Sequence, residues 1–326
     1  MYKIPGDTGH PWRLNKFLDY CATNDADMNF PLLIEYADQH KLCVNDRFWL
    51  SFLYSTCYCV ATTCFMFEQL SIEHLTQEKL DLFWIEYKPK LIFQTDKKYV
   101  KNMNWFVPLV MNFLALTNTR PATYFKKYFG LPPSEVYNGM YKEFLKWQYF
   151  GRFTTFLLIE AIAKLTPLKA DANWFDWKNG NTATSGMLHI LYLDDEAVEF
   201  DAMSTLSPST KRKLEESLPK LKKAIKRVHP DMSTNIVDIE TALCGFRKLF
   251  KASRYGGYYI DRVQAELNIM SLALPEADML WNELWRYRIV RFDHAMLGEL
   301  QGWNGIQKHR NVEWLQRGCV GNEIIS

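Results

Sequence analysis

Residues 240–266, ETALCGFRKLFKASRYGGYYIDRVQAE, gather side chains suited to holding phosphate and stacking on a base. Arg247, Lys248, Lys251, Arg254 and Arg262 stand beside Tyr255, Tyr258 and Tyr259, with Gly256 and Gly257 at the centre. Guanidinium and ammonium groups grip phosphate oxygens through charge-assisted hydrogen bonds. Aromatic faces accept an unstacked base, whatever its identity. A solvated basic helix, a loop and a helix of half-buried tyrosines would use the same letters, so this stretch by itself supports both readings.

Other segments carry related chemistry. Gly151, Arg152 and Phe153 open a helix, where an arginine opposes the helix dipole unless an anion sits there. Glu160 follows two turns later on roughly the same side, as a base or as a partner for a cation. Asp96, Lys97, Lys98, Tyr99, Val100 and Lys101 form an aromatic-flanked basic cluster. Arg47, Ser51, Tyr54 or Ser55, Tyr58 and Thr62 recur at three- and four-residue steps and share one helix face. That polar stripe needs partners, supplied either by the protein or by a ligand. After Pro208, Lys211, Arg212, Lys213, Lys220, Lys222, Lys223, Lys226 and Arg227 oppose only Glu215 and Glu216, so eight positive and two negative charges leave +6 locally. Such a segment could lie along a phosphate backbone or be a solvated face.

The whole chain narrows the options. It has 326 residues and a net charge of +2, so any basic site must be local. There is no GxxxxGK[ST] loop, GxSxG elbow or HExxH pair. The seven cysteines include no CxxC pair, and reduced, mostly buried thiols are expected, Cys244 among them. Residues 48–67 lack charge but carry Ser51, Tyr54, Ser55, Thr56, Tyr58, Thr62 and Thr63. That is too polar for lipid and suits a central buried helix, so no membrane association is expected.

Hydrophobic periodicity points to an all-α, mainly helical protein. Helices are expected at 30–41, 46–70, 104–116, 121–129, 134–147, 151–165, 207–228, 235–251, 257–272 and 276–287. Asn29, Asn45, Ser134 and Ser207 are candidate caps. Pro108 must kink its helix or lie in the first turn, and Pro219 could divide the basic helix. Short strands are candidates at 91–93 and 187–193. Residues 171–206 contain the turn-forming WKNGNTATSG and lack a sure helix. The chain reads as one catalytic domain over 1–326, with a possible lobe junction in 171–206.

Five segments together resemble the bacteriophage alpha-glutamyl/putrescinyl thymine pyrophosphorylases, the amino acid:DNA transferases of thymine hypermodification. They are NDRFWLSFLYSTCYCVATT, TDKKYVKN, WQYFGRFTTFLLIEAI, NTATSGMLHILYLDD and IETALCGFRKLFKASRYGGYYIDRVQAE. The resemblance implies a transferase in the cytoplasm of an infected bacterial host. Its DNA substrate would carry phosphorylated or pyrophosphorylated 5-hydroxymethyluracil, and an amino acid or polyamine would displace the phosphate at the exocyclic methylene. It also implies a distant likeness to the helical DNA glycosylases, two helical lobes around a cleft, although no LPGVG-type hairpin loop is present. Base excision and non-catalytic DNA binding are the competing functions.

Under this resemblance, Arg47, Lys98, Lys101, Arg152, Lys248 and Arg254 would neutralise phosphate. Glu160, Glu240 and Asp261 would hold or deprotonate the amine, and Arg262 would bind an amino-acid carboxylate. Tyr54, Tyr58, Tyr258 and Tyr259 would sandwich a flipped base. Mg2+ could assist the leaving group, but no ligand cluster marks a metal site.

Overall fold

In a computed structural model, the structure describes residues 27, 29–93, 103–178, 180–191, 206–250 and 258–291. Among these, every regular element is a helix, as the periodicity requires. The chain divides into two units. One joins residues of 29–170 to those from 260 onward, and residues of 171–259 lie in the other.

The discontinuous unit begins with α1 (Asn29–Gln39), α2 (Val44–Cys57), α3 (Val60–Gln69) and α4 (Gln77–Tyr87). It continues through α5 (Phe106–Thr117), the short α6 (Pro121–Tyr124), α7 (Pro133–Phe144) and α8 (Arg152–Leu165). Its core is aromatic. Phe52 stacks on Phe113 at 4.0 Å and Phe48 on Phe125 at 4.6 Å. Trp49 joins the same stack and donates its Nε1–H to Leu70 O at 2.8 Å. The high aromatic content is thus largely core volume. Pro108 lies in the first turn of α5, where its missing N–H costs nothing.

The single helix expected over 46–70 is two helices. Tyr58 adopts φ 52°, ψ 39° and closes α2, its N–H donating to Tyr54 O at 2.7 Å. No glycine or asparagine announces the break, so periodicity could not place it. Side chains satisfy the groups it exposes. Thr63 Oγ1 donates to Cys59 O at 2.7 Å and lies 3.1 Å from Cys57 Sγ. Asn45 does not cap α2, which starts at Val44. Its Oδ1 accepts from Ala122 N at 2.9 Å, capping α6 instead. Residues 91–93 are buried but form no strand. Ile92 N donates to Thr62 Oγ1 at 3.0 Å, a side chain standing in for a strand neighbour.

Glu143 ties α7 to the turn after α6, accepting from Tyr124 and Tyr128 hydroxyls and pairing with Lys127 at 2.7 Å. Burial alone would raise its pKa, but hydrogen bonds from Lys127, Tyr124 and Tyr128 together hold it below the usual carboxylate range. A depressed carboxylate stabilises the fold above its unfolded pKa, and that contribution fades as pH falls through the folded value. Stability should therefore decline as pH drops below about 4.3, the unperturbed glutamate value. Glu143→Gln should flatten the decline in urea melts from pH 3 to 6; an unchanged profile would sink the assignment.

The inserted unit contains α9 (Asn181–Leu191), α10 (Pro208–Val228) and α11 (Ile236–Phe250). Residues 187–191, expected as strand, belong to α9, and 192–193 lie outside the described residues. The cause is burial on all sides: residues 183–188 are all buried, and Ser185 and Gly186 meet Arg247 and Leu243 of α11. The NTATSG stretch, read as turn formers, supplies the small residues of that packed helix. Ser207 caps α10, accepting from Thr210 N at 3.1 Å, with Pro208 in the first turn. Pro219 does not divide α10, which runs through it as one helix. Asp171 Oδ1 accepts from Ile236 N at 2.8 Å and so caps α11. The last helices, α12 (Tyr258–Ala273) and α13 (Asp278–Arg291), return the chain to the discontinuous unit, the division falling within the first turn of α12.

Candidate functional site

In the discontinuous unit, α2 packs against α8 and α3, and α1 packs against α8 and α13. This brings two of the five resembling segments face to face, one on α2–α3 and one on α8. The polar stripe of α2 is satisfied largely by its own backbone. Ser51 Oγ donates to Arg47 O, Ser55 Oγ to Phe52 O and Thr56 Oγ1 to Leu53 O, each at 2.7 Å. These hydroxyls therefore serve the helix, the structural alternative of the two.

Arg47 is a bracket. Its Nε donates to Leu42 O at 3.1 Å, one terminal nitrogen to Leu165 O at 3.3 Å, and the other to Asp38 Oδ1 at 2.6 Å. It thus binds the turn after α1 to the C-terminal carbonyl of α8, where the helix dipole favours a cation. Tyr54 and Tyr58 are buried, with their rings 5.4 Å apart and Phe30 5.3 Å from Tyr54. Neither offers a face to solvent.

The helix break at Tyr58 is covered from α12. The Arg262 guanidinium lies 5.2 Å from the Tyr58 ring, with Nε 3.4 Å from Glu266 Oε1 and a terminal nitrogen 3.4 Å from Asn29 Oδ1. Arg262 and Glu266 are 2% and 1% exposed, so this ion pair is fully desolvated. Burial pushes the Cys57 thiol up to about 12, and burial with the nearby Glu266 charge raises Cys59 well above the ordinary value. Cys57 and Cys59 are therefore held as neutral thiols. Arg288, on α13, is also fully buried and donates to Gln264 Oε1 at 3.1 Å. Glu266 and Arg288 escaped the sequence reading because a charge in a helical pattern normally signals the wet face.

On α8, Gly151 is the N-cap in extended backbone, with no side-chain cap bond and nothing near where a Cβ would stand. Arg152 is half-buried, with its guanidinium carbon 4.9 Å from the Phe153 ring centre, and Phe153 is exposed. Glu160, two turns on, is 3% exposed. The helix thus carries a half-buried cation at its start and a buried carboxylate at its middle.

In the inserted unit, α9 and α11 bring two more of those segments together. A Cβ on Gly186 would lie 2.3 Å from Leu243 O, so the helices meet backbone to backbone there. Arg247 Nε donates to Ser185 Oγ at 2.6 Å, and burial lowers the Arg247 pKa. A Cβ on Gly180 would lie 3.3 Å from Glu240 Oε1, which sets the buried Glu240 carboxylate by the N-terminus of α9. Dipole complementarity accounts for that position. Lys248 and Cys244 are half-buried on α11. Gly186→Ala should cost about 1–3 kcal/mol, since a backbone oxygen cannot rotate away as a side chain can. Thermal melting checks this; a melting temperature equal to wild type would mean that the helices do not meet so closely.

Lys98, Lys101 and Arg254 lie outside the described residues. Tyr258, Tyr259 and Asp261 occupy the first turn of α12, and their side chains lie outside the described set. Among the described residues, no group of three or more His, Cys, Asp or Glu could hold a metal ion. No described helix is long and apolar enough to cross a membrane.

Among the described residues the protein is all-helical, and a cation stands at the start of α8, a place where an anion can sit. The model of the amino acid:DNA transferase family matches residues 23–255, and the chain belongs to that family. It is therefore a transferase of the class that joins amino acids to DNA. No curated protein and no solved structure matches it.

Proposed function

We propose that the protein replaces the phosphate or pyrophosphate on 5-hydroxymethyluracil in DNA with an amino acid or polyamine, in the cytoplasm of a phage-infected bacterium. The nucleophilic nitrogen attacks the exocyclic methylene carbon. The carbon–oxygen bond to the phosphate breaks, the leaving group takes the bonding electrons, and the ammonium proton passes to a carboxylate. The observation that carries this reading is the family match over 23–255, which spans α1 to α11.

In this reading the residues of the discontinuous unit take the following roles. Arg152, with the backbone N–H groups at the start of α8, neutralises the leaving phosphate. Lys98 and Lys101, assigned from the sequence resemblance alone, would add charge to the same task. Glu160 receives the amine proton, its burial keeping water from competing. Arg262 and Glu266 fix the backbone around Tyr58 rather than touching substrate.

The test is nucleoside mass spectrometry after incubation with DNA carrying pyrophosphorylated 5-hydroxymethyluracil and a pool of amino acids and polyamines. A nucleoside carrying one added amine supports the reading and names the nucleophile. Abasic product would replace it with base excision. Unchanged substrate from a folded, DNA-binding sample would replace it with a binding role.

A further inference from the structure

The basic helix α10 is not used by the chemistry above, and its charge is arranged rather than scattered. Turning about 100° per residue, Arg212, Lys213, Lys220, Lys223 and Arg227 fall within roughly a 100° sector, with Glu216 the one acid among them. All five cations are exposed. That sector lies opposite Leu214, which is fully buried, and Leu218, Leu221 and Ile225 flank Leu214 on the half-buried side. The remaining cations are placed differently. Lys211 pairs with Glu215 at 3.7 Å, Lys222 is half-buried, and Lys226 closes the helix end by donating to Pro230 O at 2.9 Å.

Charge balance sharpens the point. The chain carries +2 and α10 carries +6, so everything else sums to −4. Concentrating like charges on one helix costs stability through self-repulsion unless a polyanion offsets it. An anionic membrane is a poor match, because an interfacial helix needs its apolar face for lipid, and here that face is turned into the protein. From Arg212 to Arg227 the cationic sector is about 22 Å long. Duplex DNA presents one phosphate charge per about 1.7 Å of its axis, so that length meets several phosphates.

We infer that the outer face of α10 is a docking surface for the phosphate backbone of duplex DNA, binding without reading sequence. This rests on the reading that DNA is the substrate, and it adds where the duplex is held. Phosphate contacts of this kind position a duplex while other residues act on the base.

The experiment compares full-length wild type with a variant carrying Arg212→Gln, Lys220→Gln, Lys223→Gln and Arg227→Gln. Fluorescence anisotropy with an unmodified duplex gives affinity across a salt series. The variant should show a slope of log K against log[salt] shallower by about 3.6, because each of the four phosphates left without its cation takes about 0.9 off the slope. It should also bind at least about tenfold more weakly at physiological salt, with an unchanged circular dichroism spectrum. Single Lys223→Gln and Arg227→Gln variants should each reduce the slope by about 0.9, which covers the case of a quadruple variant that folds poorly.

Equal slopes and affinities for all variants would overturn the inference. So would loss of binding to anionic phospholipid vesicles with DNA binding intact. If the variants bind as wild type and wild type modifies DNA, only the docking surface falls. If wild type neither binds nor modifies DNA, the functional reading falls with it.

Discussion

Replacing Arg262 with alanine is expected to lower unfolding free energy by about 3–5 kcal/mol, the usual loss when one member of a buried ion pair is removed. The pair is closed to solvent on both sides, so water cannot take over from the guanidinium at Glu266. Tyr58 would also lose the cation beside its ring. A non-glycine residue in the left-handed region costs about 1–3 kcal/mol and persists only where its surroundings enforce it. The companion variant Arg262→Met with Glu266→Gln should recover much of the loss, because it leaves no buried charge to solvate. Urea unfolding of the two variants decides the matter. A single variant as stable as wild type would show that the pair does not hold the break.

Arg152→Ala should behave in the opposite sense. Turnover is expected to fall about 10²–10³-fold, the range for removing one donor from a developing negative charge. The variant should remain folded, because Arg152 is only half-buried in the first turn of α8. Single-turnover transfer and thermal melting on the same preparation test both halves. A variant that melts many degrees lower would place Arg152 in the scaffold, and one that turns over normally would remove it from the leaving-group site.

The helical class was legible because apolar residues recur at helical spacing through most of the chain. Ser207 capping α10 and Pro108 in the first turn of α5 were equally readable, because both act through neighbouring residues. What escaped was decided at long range. The break at Tyr58 lies against Arg262, some two hundred positions away in the sequence. Asn45 caps a helix other than its own, because the donor that reaches it, Ala122, is also distant. The α9 segment looked like a loop since glycine and small polar residues favour turns, but here small size lets two helices touch. Among site candidates, Arg152 stands half-buried at the start of α8 and Glu160 is buried two turns on. Arg47 and Arg262 are absorbed into the scaffold, which their residue type could not reveal.

The return of the chain to its starting unit also bears on how the protein is made. Helices α1 and α3 pack against α13, and Arg262 of α12 covers the α2–α3 break. Yet the ribosome completes α8 well before it reaches α12. The intervening stretch of roughly 95 residues takes about 5–20 s at ordinary elongation rates. Through that interval the early helices leave the tunnel with apolar surface that α13 later covers. The nascent chain is then an open half waiting for its own C-terminal helices, and that is when a holding chaperone would have most effect on yield.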